Sequence, residues 1–103
     1  MNALFSDTTL TLTFDGDLTS TTVVPVRAEL IELLKNYPSA TALVANFSQV
    51  GQVDSMGLNL LIGLYREAHF RKIPFRIENA APSVRRLFGL LNLTERFGLS
   101  DAA

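Results

Sequence analysis

The feature that most constrains this chain is the strict alternation Thr9-Leu10-Thr11-Leu12-Thr13-Phe14. Successive side chains of an extended strand point to opposite faces. Leu10, Leu12 and Phe14 therefore share one face, and three threonines share the other. Such a segment is a half-buried strand, which needs an apolar layer over one side of its sheet.

The rest of the chain supplies that layer. Val23, Val26, Leu30, Leu33, Leu34 and Tyr37 fall at helical spacing, with Arg27, Glu29, Glu32 and Lys35 elsewhere on the wheel. Thr21 or Thr22 is the expected cap, Pro25 fits the first turn, and Pro38 lies past the end. Ala42 to Phe47 is a short apolar run that suits a buried strand. A second helix is expected from about Met56 to Lys72, where Leu58, Leu61, Ile62, Tyr65 and Ala68 form one stripe. Leu60 and Leu64 widen that stripe, so this helix packs on more than one side. Phe75 to Glu78 reads as another strand. Pro82 opens a third helix with Val84, Leu87, Phe88 and Leu91 facing inward, and Leu93 to Leu99 reads as a last helical turn. Upstream, Ala3 to Phe5 is an edge strand, with Ser6-Asp7 turning the chain; Asp15-Gly16-Asp17 is a second turn. The order β, β, α, β, α, β, α predicts an α/β layer fold with helices over a mixed sheet.

At 103 residues the chain has the length of one domain, taken here as 1–103. Hydrophobic residues make up 48% and charged ones 18%, a balance that excludes intrinsic disorder. No cysteine is present, which excludes a disulfide framework, a thiolate metal site and a cysteine nucleophile. A net charge of −1 leaves no global basic footprint for nucleic acid. The charge is uneven: residues 1–51 hold two Lys/Arg against five Asp/Glu, and residues 52–103 hold seven against five. The opening residues lack a basic n-region and a long apolar core, and Leu60 to Leu64 is far too short to span a bilayer. The expectation is a soluble cytoplasmic protein without membrane insertion.

The most informative segment is Val50-Gly51-Gln52-Val53-Asp54-Ser55-Met56-Gly57-Leu58, which joins a buried strand to a buried helix. The first turn of a helix presents unpaired N–H groups and the positive end of the dipole. A phosphate on Ser55 would gain those donors, and Gly57 would leave the backbone open to close approach. Met56 and Leu58 would offer a partner apolar contact. The plainer alternative is that Ser55 or Asp54 is an N-cap and nothing more, worth about 1 kcal/mol.

Asp54-Ser55-Met56-Gly57-Leu58, followed by Leu60-Leu61-Ile62-Gly63-Leu64-Tyr65, resembles the signature of the anti-sigma factor antagonists of the STAS domain family. Phe14-Asp15-Gly16-Asp17-Leu18 resembles that family's second strand and turn. Pro82-Ser83-Val84-Arg85-Arg86-Leu87-Phe88, followed by Leu93-Thr94, resembles its closing helix. The resemblance implies a small mixed sheet with helices mainly on one side, and no enzymatic activity or cofactor of its own. It implies phosphorylation at Ser55, with Asp54, Ser55, Met56, Gly57, Leu58 and Thr19 forming the partner surface. The implied partners are an anti-sigma factor kinase of the histidine-kinase-like ATPase type, which would hold the ATP, and a serine phosphatase. Unphosphorylated protein would bind the kinase and free the sigma factor, and the phosphate would end binding by repulsion and desolvation.

Three positions depart from the family pattern. Thr19 stands where an aspartate is usual after the Gly-x-Leu turn, Asn46 stands where one is usual near the end of the central strand, and Met56 replaces a second small hydroxyl residue. The two missing carboxylates would, in the family, lie near the serine, and their absence makes one rival serious: accessory subunits of lipid-transport ABC systems, or members of other signalling assemblies, which the domain also resembles; the serine itself favours the switch.

Other chemistry fares worse. A serine hydrolase needs a base within hydrogen-bond reach of Ser55. His69, the sole histidine, lies fourteen residues along the same helix, which is roughly 21 Å at about 1.5 Å per residue. Asp15, Asp17 and Asp54 are possible Mg²⁺ ligands if they cluster, although Asp15-Gly16-Asp17 is more simply a turn. No phosphate-binding glycine loop is present. The cations Arg66, Arg71, Lys72, Arg76, Arg85 and Arg86 lack the interleaved aromatic platform of an RNA surface.

Overall fold

A computed structural model describes residues 1–99. The elements are β1 (Asn2–Ser6), β2 (Thr9–Thr13), α1 (Val23–Asn36), β3 (Ala42–Asn46), α2 (Ser55–Phe70), β4 (Phe75–Glu78) and α3 (Pro82–Leu90). They form one four-stranded sheet in the order β1-β2-β3-β4. The β1–β2 pair is antiparallel, and β2–β3 and β3–β4 are parallel. Two parallel crossovers in succession lay α1 and α2 on the same side of the sheet. This is the expected α/β architecture, a mixed sheet with helices on one side.

The alternation of β2 holds in full. Leu10 and Leu12 are completely buried and Phe14 nearly so, while Thr9, Thr11 and Thr13 remain partly exposed on the open face. Leu43 and Ala45 of β3, with Phe47 just past its end, continue the covered face, as does Ile77 of β4. Val26, Leu33, Leu34 and Tyr37 of the first helical stripe pack against this core with buried Leu30. From α2, Leu60, Leu61, Leu64 and Ala68 are buried.

Four local expectations change. The hairpin turn is Asp7-Thr8, not Ser6-Asp7, because β1 runs on until Ser6 pairs with Thr9. Both turn residues take left-handed φ values, 52° and 61°. A two-residue hairpin of primed type requires this. Thr8 is an unusual occupant for a β-branched residue; its hydroxyl donates to the Asp7 carbonyl and meets that of Thr41.

Thr22 occupies the N-cap position of α1, but its hydroxyl makes no capping bond to the helix. The hydroxyl instead donates to the Asp17 carbonyl at 2.7 Å and accepts from the Thr19 N–H at 3.0 Å. It shapes the loop before the helix.

Leu91 does not face inward. The third helix ends at Leu90, Asn92 takes a φ of 58°, and Leu91 is left 45% exposed. Leu93 and Phe97 fill the interior in its place.

The segment from Leu93 to Leu99 forms hydrogen-bonded turns in place of a regular helix, with Phe97 N–H on the Leu93 carbonyl and Leu99 N–H on the Thr94 carbonyl. Its Phe97 carbonyl accepts from the Ile77 N–H at 2.7 Å, tying the turns to β4. The expected domain limit at 103 lies outside the described residues. Among the described residues, no helix is long and apolar enough to cross a membrane.

Candidate functional site

The site is made by two loops at the same end of the sheet, where β2 and β3 finish. Residues 14–22 lead into α1, and residues 47–54 lead into α2. Leu18 and Val53 pair as a one-residue parallel bridge. Leu18 N–H donates to the Gln52 carbonyl at 2.9 Å, and Asp54 N–H donates to the Leu18 carbonyl at 3.1 Å.

Two carboxylates then lace the loops in opposite directions. Asp17, in the first loop, accepts from the N–H groups of Gly51 and Gln52 through Oδ1, both at 2.9 Å. Asp54, in the second, accepts from Ser20 N–H through Oδ2 at 2.8 Å. The Oδ1 atom of Asp54 also caps α2, accepting from Met56 N–H at 2.9 Å and Gly57 N–H at 3.0 Å. Asp54, and not Ser55, is the N-cap. The plainer capping alternative therefore fits Asp54 and leaves the Ser55 hydroxyl out of it.

Ser55 is the first residue of α2 and is exposed. Met56 is exposed beside it, whereas Leu58 turns inward and is half-buried. Thr19 and Asp54 are half-buried and line one cleft of about 270 Å³ with Val53, Ser83, Val84 and Leu87. The sequence-derived residues thus gather at one end of the sheet.

Gly57 requires a correction. It is buried, and a Cβ on it would lie 2.0 Å from the Leu18 carbonyl oxygen. The close approach it permits is to the chain's own first loop, not to a phosphate or a partner backbone. Two of the donors expected for an anion on Ser55 are likewise engaged. Met56 N–H and Gly57 N–H already serve Asp54, so an anion there would meet a carboxylate that holds them.

These contacts hold the Asp54 carboxyl below the usual carboxylate range, through the N–H bonds from Gly57, then Ser20, with Met56 adding to them. A carboxyl lowered by folding stabilises the native state above the ordinary carboxylate pKa. That contribution disappears as pH falls through the group's own lowered value. Asp54→Asn offers one acceptor oxygen where the carboxylate offers two. The variant is expected to melt below the parent at neutral pH, and the gap is expected to narrow as pH falls through and below the ordinary carboxylate range, where the parent's carboxylate is protonated. Thermal melts across that range check this; a gap that stays constant would mean the charge of Asp54 contributes nothing.

Asp15, Asp17 and Asp54 do not converge on a cation. Asp15 binds the amino group of Met1 at 2.7 Å, and the other two carboxylates hold backbone N–H groups. Among the described residues no cluster of three or more acidic or histidine side chains is placed to hold a metal. His69 is exposed in the last turn of α2, its ring stacked on Tyr65. Asn46 sits at the end of β3, where its Oδ1 accepts from Ser48 N–H and from Asn79 Nδ2, both at 3.1 Å. Sequence reading missed Asp17, Ser20 and Thr22 as builders of the site. Asp17 was visible only as part of an Asp-Gly-Asp run that a turn explains equally well, Thr22 only as a helix cap, and Ser20 carried no signal.

A family model described as the Mlab STAS domain matches residues 1–100. The anti-sigma factor antagonist SpoIIAA in its unphosphorylated form is 23% identical, with a TM-score of 0.77 over 99% of this chain and 87% of that one. A Thermotoga maritima protein described as an anti-sigma factor antagonist superposes with a TM-score of 0.83 at 17% identity, over 98% of this chain and 86% of the other. The Bacillus cell fate determinant SpoIIAA in its phosphorylated form gives 0.71 at 23% identity, over 99% and 90%. These likenesses carry the fold, and the family model spans nearly all of the chain. The chain is a member of the STAS domain family.

Proposed function

We propose that this chain is a non-enzymatic anti-sigma factor antagonist, with Ser55 as phospho-acceptor. One observation carries the reading: Ser55 is exposed at the first position of α2, on a loop pinned by Asp17 and Asp54. A kinase thus meets a solvent-facing hydroxyl on a preformed platform. The platform, with Thr19, Asp54, Met56 and the accessible edge of Leu58, is the partner surface. The partner is an anti-sigma factor kinase of the histidine-kinase-like ATPase type, which holds the ATP; a serine phosphatase resets Ser55. The exchange runs in the cytoplasm, and the chain acts as one domain.

The phosphate works by charge. It brings about −1.5 to −2 charges to a fitted surface, and Asp54 beside it adds a further negative charge. Purified kinase and ATP are expected to add one phosphate to the parent and none to Ser55→Ala. An unchanged intact mass, or a phosphate mapped elsewhere, overturns the assignment. Ser55→Asp is expected to bind the kinase about 10–100-fold more weakly than Ser55→Ala, since each tenfold corresponds to about 1.4 kcal/mol. Both variants should keep the parent's circular dichroism. Equal affinities would show that charge at Ser55 does not control the complex.

A second reading is an accessory subunit of a lipid-transport ABC system. Thr19 and Asn46, uncharged where the antagonists carry aspartates, favour it, and the matching family model is of the Mlab type. Ser55→Ala used as bait in the source cell's lysate separates the two. Retention of a small ATPase kinase supports the first; retention of transporter subunits supports the second.

A further inference from the structure

We infer that the groove between α1 and α2 receives an amphipathic helix of the protein that binds at Ser55, apolar along one stripe and carrying a carboxylate opposite Arg27. The inference rests on the proposed function and extends its surface.

The groove has a volume of about 240 Å³ and is lined by Leu30, Ile31, Leu34, Leu60 and Leu64, with Arg27, Asn59, Gly63 and Glu67 among its remaining walls. Both helices start at the laced loops, so the groove opens beside the site and runs away from it. Met56, Asn59, Gly63 and Glu67 follow one another along one face of α2 at helical spacing. The exposed side chain of Met56 therefore sits on the same face of α2 as the groove's wall, one turn closer to the candidate partner surface. Val24 (76% exposed) and Ile31 (47% exposed) extend the apolar character along α1.

Gly63 is the telling residue. It is exposed in the middle of a 16-residue helix, where a Cβ would meet no atom within 4 Å. Glycine weakens a helix interior relative to alanine, and nothing inside the chain calls for it here, in contrast to Gly57. A missing side chain at the wall of a groove lets a second backbone come close, as helix-in-groove docking needs.

Charge fixes where an acidic residue of the incoming helix falls. The Glu67 carboxylate is held by Arg71 Nε at 2.8 Å, and the same guanidinium bonds the Leu34 carbonyl at 3.1 Å. Arg27 is exposed on the opposite rim and has no ion partner among the described residues. The charge left for an incoming helix is thus positive, and a carboxylate complements it.

The test uses the kinase retained by Ser55→Ala, purified, with all variants in that background. Gly63→Leu fills the groove and is expected to raise the melting temperature while weakening kinase binding at least about tenfold. Arg27→Glu is expected to weaken binding by about the same factor. Lys72→Glu makes the same charge change at the far end of α2 and is expected to bind as the parent does. A benzophenone on Gly63→Cys, the only thiol in the chain, should crosslink to a kinase helix with an apolar stripe and an Asp or Glu.

Parent-like affinity of Gly63→Leu and Arg27→Glu overturns the inference and leaves the proposed function standing. Crosslinking to a second copy of this chain overturns it in favour of a homodimer face. A bait that retains no kinase overturns the proposed function, and the inference falls with it.

Discussion

Gly57→Ala is expected to melt about 10–20 °C below the parent, at about 4–8 °C for each kcal/mol in a domain of this size. The cause is a collision with backbone. A Cβ at position 57 would lie 2.0 Å from the Leu18 carbonyl oxygen, 2.8 Å from its carbon and 2.9 Å from the Leu18 Cβ. Flexible side chains swing away from an added methyl, but these atoms are held. The Leu18 carbonyl accepts from Asp54 N–H, and Leu18 N–H donates to Gln52. Overpacking of this kind typically costs about 1–3 kcal/mol, and fixed backbone puts position 57 at the upper end. Relief would require the start of α2 to lift off the first loop, stretching the bond from Ser20 N–H to Asp54 and the bond from Asp54 N–H to the Leu18 carbonyl. The same variant is therefore expected to lose kinase affinity through a disordered platform, although no partner touches the new methyl. A melting temperature within about 3 °C of the parent would show that α2 does not bear on Leu18 in this way.

Phe88→Ala carries the larger penalty, about 3–5 kcal/mol. Phe88 is completely buried. Its ring meets Phe97 edge-on at 5.0 Å and Phe47 at 6.5 Å, and Phe97 in turn meets Phe75 at 6.0 Å. These rings join α3, the last turns, the residue after β3, and β4. The cavity left by truncation is bordered by Phe97 and Phe47, which come from two segments far apart in the chain, so no single shift closes it. Native domains hold only about 5–15 kcal/mol in all, so a loss of this size leaves a small margin. Urea titration is expected to show a lower midpoint with an unchanged slope. A loss below about 1 kcal/mol would mean the aromatic cluster collapses to fill the space.

What could be read from the sequence, and what could not, divides by range. β2 was legible because alternation is a local signal, and α2 because its apolar stripe repeats over 16 residues. Phe75–Glu78 agrees residue for residue with the expected strand. The position of Ser55 at a helix start was legible from the change of period around Asp54. The lacing was not: Asp17 meets Gly51 and Gln52, and Ser20 meets Asp54, across 34 or 35 residues of chain, and such pairs leave no periodicity. The role of Gly57 was misread for the same reason, since its neighbour Leu18 is distant in sequence. Thr21 and Thr22 both read as candidate caps because a threonine before a helix usually caps, and Thr22 does take the N-cap position without the capping bond. Its hydroxyl had a competing partner in the Asp17 carbonyl, and only the folded loop reveals that. Leu91 fitted the wheel of α3, but Asn92 ends the helix first.

Asp17 and Asp54 each sit in one loop and serve the other. Heredity meets them unequally. Asp54 also caps α2, so it keeps a task of its own when Asp17 is replaced, whereas the Asp17 carboxylate serves only the opposite loop. A change at Asp17, far from Ser55 along the chain, thus becomes a way of retuning the serine's surroundings without altering a residue beside it.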